Sequence, residues 1–342
     1  DNGGADLLDV NSSGNATLNG DISLAGIGGL ELDNVGGNIV LAKGMGQTVT
    51  LVTDGDFNSQ GVSTTNANNE NLTITADGNA TLGAINLDAA TDGDLTVTAN
   101  KNGSDLVSPF ILQVTDTIQN VNAATLSANG NLANDVIDID ADITTTGGDL
   151  LIEFTNVLEI DASTSRTLTS AADIDIPNTI DAISLNNGAS LVTLDATGDV
   201  TVFANITTTA ESDLTIDGTN IWTVGVDLSN SATAGGDFIA NLDSGNSGVG
   251  IWGISGDVEA GSVDVNGTGG DDVVDFQGAP SSVYNVTSRD GSIDMLDGGD
   301  IDEIRLTDVD AIITNADAGG TNVTLPDVND VSNEQNLTVN ST

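Results

Sequence analysis

The chain has 342 residues, of which 52 are Asp or Glu and only five are Lys or Arg, so its formal net charge is −47. So acidic a surface repels phosphate backbones and anionic headgroups, which excludes nucleic acid and a bare anionic membrane as partners. His and Cys are absent, which excludes Ser-His-Asp and Cys-His catalysis and leaves oxygen atoms as the metal ligands.

The composition predicts short strands joined by turns. Hydrophobic residues make up 38% of the chain but aromatic residues only 3%, so a core is possible and its side chains are small. Only eight of the acidic residues are Glu. The others are Asp, which favours turns and disfavours helices. We therefore expect an all-β protein with almost no helix.

A repeated unit runs along the chain: Asp or Asn, an aliphatic residue, any residue, and a second aliphatic residue. It begins at Asn71, Asp94, Asp149, Asp199, Asp213, Asn322 and Asn336. The alternation places aliphatic side chains on one face of a strand and polar ones on the other. Imperfect repeats of this kind predict a parallel β-solenoid (β-helix) with coils of ~20–25 residues and Gly, Asn and Asp in the turns. Tandem antiparallel β-sandwich modules are the alternative, although no aromatic residue recurs at the spacing of such modules.

The run from Asn71 to Leu87, NLTITADGNATLGAINL, resembles the repeats of filamentous-haemagglutinin-like adhesins and other bacterial surface β-strand-repeat proteins. The resemblance extends over residues 10–245. It implies an exported, non-enzymatic surface molecule.

Acidic side chains alternate with aliphatic ones between Ile137 and Ile143. Asp138, Asp140 and Asp142 would share one strand face, where they could bind a cation together with Asp135 or form an ordinary solvated face. Paired carboxylates also hydrolyse glycosides in some β-helix proteins. Such enzymes need basic residues or aromatic platforms for their substrates, and these are scarce here, so we predict that the chain is not an enzyme.

Two domains are expected, with residues 1–250 forming solenoid repeats and residues 251–342 a Gly- and Asp-rich β region that is continuous with the repeats or separate from them. The two tryptophans, Trp222 and Trp252, lie in apolar strand contexts. We expect them in the core or as plugs at coil ends rather than as ligand platforms.

The run from Gly267 to Val273, GTGGDDV, matches the spacing Gly-x-Gly-x-Asp-x-aliphatic, and a weaker copy follows at 298–300. The segment 267–306 is similar to the calcium-binding repeats of RTX proteins, in which turn carbonyls and Asp carboxylates bind Ca²⁺. The resemblance implies a Ca²⁺ cofactor, although RTX blocks stack several such repeats and this chain has one good match. The candidate ligands are Asp271, Asp272, Asp297, Asp300 and Asp302.

These observations predict an extracellular structural or adhesive surface protein that is stabilised by calcium and assembles into a filament or surface layer. Its expected partners are other copies of itself and cell-surface glycans. We expect no transmembrane segment, because no stretch of ~18 apolar residues occurs. The alternative function is a calcium-dependent carbohydrate-binding or polysaccharide-degrading β-helix.

Overall fold

A computed structural model describes most of the chain, and the strands below are those of its described residues. These are residues 7–24, 29–32, 38–59, 63–87, 92–101, 110–128, 135–160, 164–177, 179–186, 190–209, 212–224, 228–230, 236–242, 249–268, 272–288, 293–295, 301–316, 323–324, 327–330 and 336–341. No helix occurs in these ranges.

The chain divides into two compact units, the first comprising Asp1–Glu159 with Leu168–Ala171 and the second Ile160–Thr167 with Ala172–Thr342. The first twenty strands are β1 (Leu8–Asp9), β2 (Ala16–Leu18), β3 (Ile22–Leu24), β4 (Leu30–Glu31), β5 (Asn38–Leu41), β6 (Thr48–Thr53), β7 (Phe57–Asn58), β8 (Ser63–Asn66), β9 (Asn71–Ala76), β10 (Ala80–Leu82), β11 (Ile85–Asn86), β12 (Leu95–Thr98), β13 (Ile111–Val114), β14 (Ile118–Val121), β15 (Ala124–Ser127), β16 (Val136–Ile139), β17 (Ile143–Thr145), β18 (Leu150–Glu153), β19 (Thr155–Ile160) and β20 (Arg166–Ser170). The other strands are β21 (Ile174–Ile176), β22 (Ile180–Asn186), β23 (Leu191–Ala196), β24 (Val200–Val202), β25 (Asn205–Thr209), β26 (Asp213–Gly218), β27 (Asn220–Val224), β28 (Leu228–Asn230), β29 (Phe238–Leu242), β30 (Ile251–Ser255), β31 (Val258–Ala260), β32 (Val263–Asn266), β33 (Asp272–Ser288), β34 (Ile293–Asp294), β35 (Ile301–Ala316), β36 (Val323–Thr324), β37 (Asp327–Asp330) and β38 (Asn336–Ser341).

Each unit is a parallel β-solenoid, as the sequence predicts. In the first unit every third strand pairs in parallel, so that β6, β9 and β12 form one ladder, β7, β10 and β13 a second, and β5, β8 and β11 a third. The second unit repeats this arrangement, for example with β24, β27 and β30 in one ladder and β26, β29 and β32 in another. Three short strands therefore make one coil, and the sandwich alternative, which requires antiparallel pairing, is wrong.

The period-two pattern produces the core of each coil. In β6 and β9 every second side chain is buried, and the register stacks Val49 on Leu72 and Leu51 on Ile74. Leu95 of β12 continues the first of these columns. Small aliphatic side chains in register fill the narrow interior of a coil and bury apolar area between coils.

Asp and Asn side chains at the turns link successive coils. The side-chain oxygen of an Asp or Asn at the start of a strand, or just before it, accepts the backbone N–H of a residue one coil later, 23 to 32 positions along the chain. Asp213 accepts the N–H of Asp237 at 2.8 Å, and Asp237 accepts that of Ser262 at 2.9 Å. We call these side chains the coil-to-coil acceptors: Asn15, Asp56, Asn71, Asn79, Asp173, Asp213, Asn220, Asp237 and Asp257. The shorter side chain of Asp and Asn suits bonds to nearby backbone, as in Asx turns.

Two fully buried carboxylates in the first unit are satisfied by backbone and amide donors. Glu70 accepts the N–H of Gly44 and both the N–H and the Nδ2 of Asn68. Asp135 accepts the N–H of Phe110 and the Nδ2 of Asn100. Hydrogen bonds of this kind are what allow a charged group to be buried at all.

In the second unit the ladders continue through residue 250. Strand β27 pairs with β30, and β30 pairs with β33. The two long strands β33 and β35 pair with each other over most of their length. The predicted division after residue 250 stays a prediction.

Candidate functional site: the outer face around Trp222

Asp272, one of the predicted calcium ligands in the segment 267–306, makes hydrogen bonds within the fold. Asp272, at the start of β33, is 1% exposed. Its Oδ1 accepts the N–H of Gly250 at 2.5 Å, and its Oδ2 accepts the N–H of Thr268 at 3.2 Å. A Cβ at Gly267 would lie 3.2 Å from Cγ of Asp272, so the glycine of the motif makes room for this carboxylate. Asp272 thus links the motif's turn to the preceding coil.

The other predicted calcium ligands have no described side chain. Asp302 lies in β35, where its backbone alone is described. The positions of Asp271, Asp297 and Asp300 lie outside the described residues. Within the described ranges no three Asp or Glu side chains come together as a group that could hold a metal ion. The calcium site stays a prediction.

The acidic run at 138–142 has an amide partner. Nε2 of Gln113, in β13, donates to Oδ2 of Asp138 at 3.2 Å and to Oδ2 of Asp140 at 3.1 Å. Asp135, the expected fourth ligand, is buried among the donors described above. The acidic run at 138–142 does not form a single strand, because β16 ends at Ile139 and β17 begins at Ile143. The coil turns between these strands, so Asp142 leaves the face that Asp138 occupies.

The two tryptophans occupy different environments. Trp252 is a core residue, as predicted: it is fully buried, its ring centroid lies 5.3 Å from that of Phe238, and its Nε1 donates to Oγ1 of Thr223. Trp222 differs from the prediction, since it is only half-buried and lies between the inward-facing Ile221 and Thr223 of β27. Alternation along the strand therefore places Trp222 on the outer face.

A glycine lets the Trp222 indole lie against the sheet. Trp222 and Gly253 are register partners on β27 and β30. A Cβ at Gly253 would lie only 2.5 Å from Cζ3 of Trp222, so the indole occupies the space that a larger residue would fill. The neighbours Trp252 and Ile254 point into the core. The ring therefore covers the backbone of the next coil.

Polar side chains adjoin the ring on the following coils. Nε2 of Gln277 lies 3.5 Å from the Cβ position of Gly253 and donates to Oδ2 of Asp275 at 3.0 Å. Asp275 is the register partner of both Gly253 and Arg305. We call Trp222, Gly253, Asp275 and Gln277 the Trp222 patch.

The Arg305–Glu303 ion pair and Tyr284 lie beside the Trp222 patch. Nη2 of Arg305 lies 2.5 Å from Oε1 of Glu303, on the coil after Asp275. The hydroxyl of Tyr284 donates to the carbonyl of Gln277 at 3.1 Å. The Arg305 charge is thus balanced by Glu303, and Tyr284 holds the backbone beside the Gln277 amide.

The first unit has a polar cleft on its outer surface. In the first unit a cleft of about 320 Å³ is lined by Gly29, Glu31, Asp56, Asn58 and Asn79, among others. Two of these, Asp56 and Asn79, are coil-to-coil acceptors. This cleft therefore lies over groups that hold the coils together.

Among the described residues, three carboxyl groups have perturbed pKa values. Burial raises the pKa of Glu153. Burial also raises the pKa of Asp264, and the charges of Asp294 and Asp237 raise it further. The pKa of Asp21 is lowered, chiefly by a hydrogen bond from Lys43 and then by the N–H of Thr50.

Comparisons with known proteins yielded no family model, curated protein or solved structure that matches this chain. Among the described residues, no helix has the length and apolar character needed to cross a membrane.

Proposed function

We propose that the chain is an extracellular structural or adhesive surface protein, a self-assembling subunit of a filament or surface layer that acts through the outer faces of its coils. The observation that carries this proposal is the use made of the acidic residues. The coil-to-coil acceptors and the buried Glu70, Asp135 and Asp272 accept hydrogen bonds from backbone and amide groups. Carboxylates used in this way support a scaffold rather than an acid–base pair for hydrolysis.

The alternative function is a calcium-dependent carbohydrate-binding or polysaccharide-degrading β-helix protein. The Trp222 patch favours the binding half, because it places an indole beside a carboxylate and an amide. It lends no support to the degrading half.

Self-association tests the assembly part of the proposal. Sedimentation velocity at rising protein concentration, in calcium-containing buffer, is expected to show species larger than the monomer. The same samples, incubated with neutral and acidic polysaccharides, are expected to release no reducing ends. A single monomeric species at all concentrations would contradict assembly, and release of reducing ends would show that the protein is an enzyme.

We also propose that calcium stabilises the folded chain. The net charge of −47 brings carboxylates close together on successive coils, and hard cations with oxygen ligands relieve this repulsion best. Ca²⁺ that binds only the folded state raises its stability by mass action. Thermal melts at fixed ionic strength should give a higher Tm with calcium than with EDTA. Superimposed curves would contradict specific calcium binding.

A further inference from the structure

We propose that the Trp222 patch is a binding subsite for a neutral pyranose unit of a glycan. The inference rests on the proposed adhesive function and names the ligand class for one face of the second unit. It does not depend on self-assembly, which the sedimentation test measures separately.

The patch gathers residue types that the chain otherwise scarcely uses. The whole sequence contains two Trp, one Tyr and five basic residues. Trp222, Tyr284 and Arg305 all lie at or beside the patch, on neighbouring coils of one face. Other exposed aromatic residues occur among the described residues, such as Phe154 and Phe203, but Trp222 is the one that lies beside an amide and a carboxylate of a following coil.

The indole is held in the orientation that a sugar needs. Because Gly253 has no side chain, the benzene ring of Trp222 lies on the backbone of the next coil, while half-burial leaves part of the indole open to solvent. A pyranose carries C–H groups on its ring faces and hydroxyls around its rim. The C–H face can stack on an indole, which supplies a large contact area for little loss of side-chain entropy.

The polar neighbours suit the hydroxyl rim. Successive positions in the column Trp222, Gly253, Asp275 are ~4.8 Å apart, because parallel coils have the strand spacing of a sheet. The indole covers Gly253, so Asp275 and Gln277 come directly beyond its edge. The amide of Gln277 is half-buried and can both donate and accept hydrogen bonds, whereas Asp275 is only 7% exposed and orients that amide. A few such polar groups beside an apolar surface are typical of ligand sites. The bond between Gln277 and Asp275 fixes the orientation of both groups.

The charge of the patch selects against acidic sugars. Asp275 and Glu303 are carboxylates, and the guanidinium of Arg305 is already paired with Glu303. The net charge of the chain adds to the repulsion. A uronic acid or a sulfated sugar would bring further negative charge, so the ligand class is a neutral glycan.

Tryptophan fluorescence tests the proposal directly on the whole chain. Purified protein is titrated with the hexasaccharides of cellulose, chitin, xylan, mannan and laminarin, and with hexagalacturonate. At least one neutral oligosaccharide should shift the emission to shorter wavelength and protect it from acrylamide, and hexagalacturonate should do neither. Trp222→Phe should abolish this response and leave the emission of the buried Trp252.

Affinity measured by calorimetry then separates the roles of the side chains. Trp222→Ala should weaken binding of the responsive oligosaccharide at least tenfold, and Trp222→Phe, which keeps an aromatic ring, should weaken it less. Gln277→Ala and Asp275→Asn should also weaken it. Phe203→Ala is the matched control, because Phe203 is an exposed aromatic of the same unit that lies outside the patch, at 38% exposure; it should bind like the unaltered protein.

Three results would overturn the proposal: no response to any of the neutral oligosaccharides, equal affinity in Trp222→Ala, or tighter binding of hexagalacturonate. Circular dichroism and the Tm of each variant establish that it is folded. Self-association with an unresponsive patch would leave the proposed assembly standing and remove only this inference.

Discussion

Close approach between successive coils restricts individual residues, and Gly236 is the clearest case. A Cβ at this position would lie 2.8 Å from the backbone N of Asp213 and still closer to the carbonyl of Ser212. The carbonyl of Gly236 in turn accepts the N–H of Gly261 at 2.8 Å. The backbone of one coil therefore rests directly on that of the previous coil, and only glycine fits between them.

Gly236→Ala should destabilise the protein. The added methyl group meets backbone rather than a flexible side chain, so the coils must move apart, at a cost of ~1–3 kcal/mol in the free energy of unfolding. Chemical denaturation followed by circular dichroism measures the loss. Gly20→Ala is the control, because a Cβ there has no neighbour within 4 Å. Equal stability of the two variants would show that the coils do not touch at Gly236.

Within a strand ladder, some acidic residues lower the stability of the fold, because carboxylates on neighbouring strands repel each other. Asp264 and Asp294 are register partners on β32 and β34. Burial and the charges of Asp294 and Asp237 raise the pKa of Asp264 above its ordinary value. A raised carboxyl pKa means that the charged form is less favourable in the folded chain than in the unfolded chain.

Asp264→Asn should therefore stabilise the protein at pH 7, by roughly 0.2–1 kcal/mol, the range for side-chain pairs on neighbouring strands. The gain should shrink as the pH falls towards the ordinary carboxyl pKa, because Asp264 is then protonated in the unmodified protein too. Thermal melts between pH 7 and pH 3 measure this gain, and a loss of stability at pH 7 in Asp264→Asn would contradict the prediction.

Asp21→Asn should behave oppositely, since Lys43 lowers the pKa of Asp21. The substitution should destabilise the protein at pH 7, and the difference in stability from the unmodified protein should vanish at low pH.

Strands and their buried faces could be predicted from the sequence, because alternation is a local signal. The unit beginning at Asp94 predicts a strand, and β12 (Leu95–Thr98) buries Leu95 and Val97. What the local pattern cannot give is the register between coils, since the number of residues per coil varies. The partnership of Trp222 with Gly253 joins positions 31 residues apart, so the Trp222 patch was not predicted. The signal that could have found it is a lone Trp at an outward position of a strand.

In the whole molecule, some of the acidic residues also hold successive coils together. Coil-to-coil acceptors occur in both units, and in the second they include Asp173, Asp213, Asp237 and Asp257. Each of these four accepts a backbone N–H of the next coil at 2.8–2.9 Å. Asn presents the same acceptor without the charge. We therefore expect these side chains to act through their oxygen atoms and not through their negative charge.

The most direct test compares two fourfold variants, in which Asp173, Asp213, Asp237 and Asp257 are all changed to Asn or all to Ala. Denaturation at pH 7 should show the Asn variant to be at least as stable as the unmodified protein, because the four backbone hydrogen bonds to Oδ1 are kept and repulsion is reduced. The Ala variant should lose ~2–6 kcal/mol, from ~0.5–1.5 kcal/mol for each hydrogen bond. If the Asn variant loses as much stability as the Ala variant, the carboxylate charge itself holds the coils together and the neutral oxygen acceptor is not sufficient.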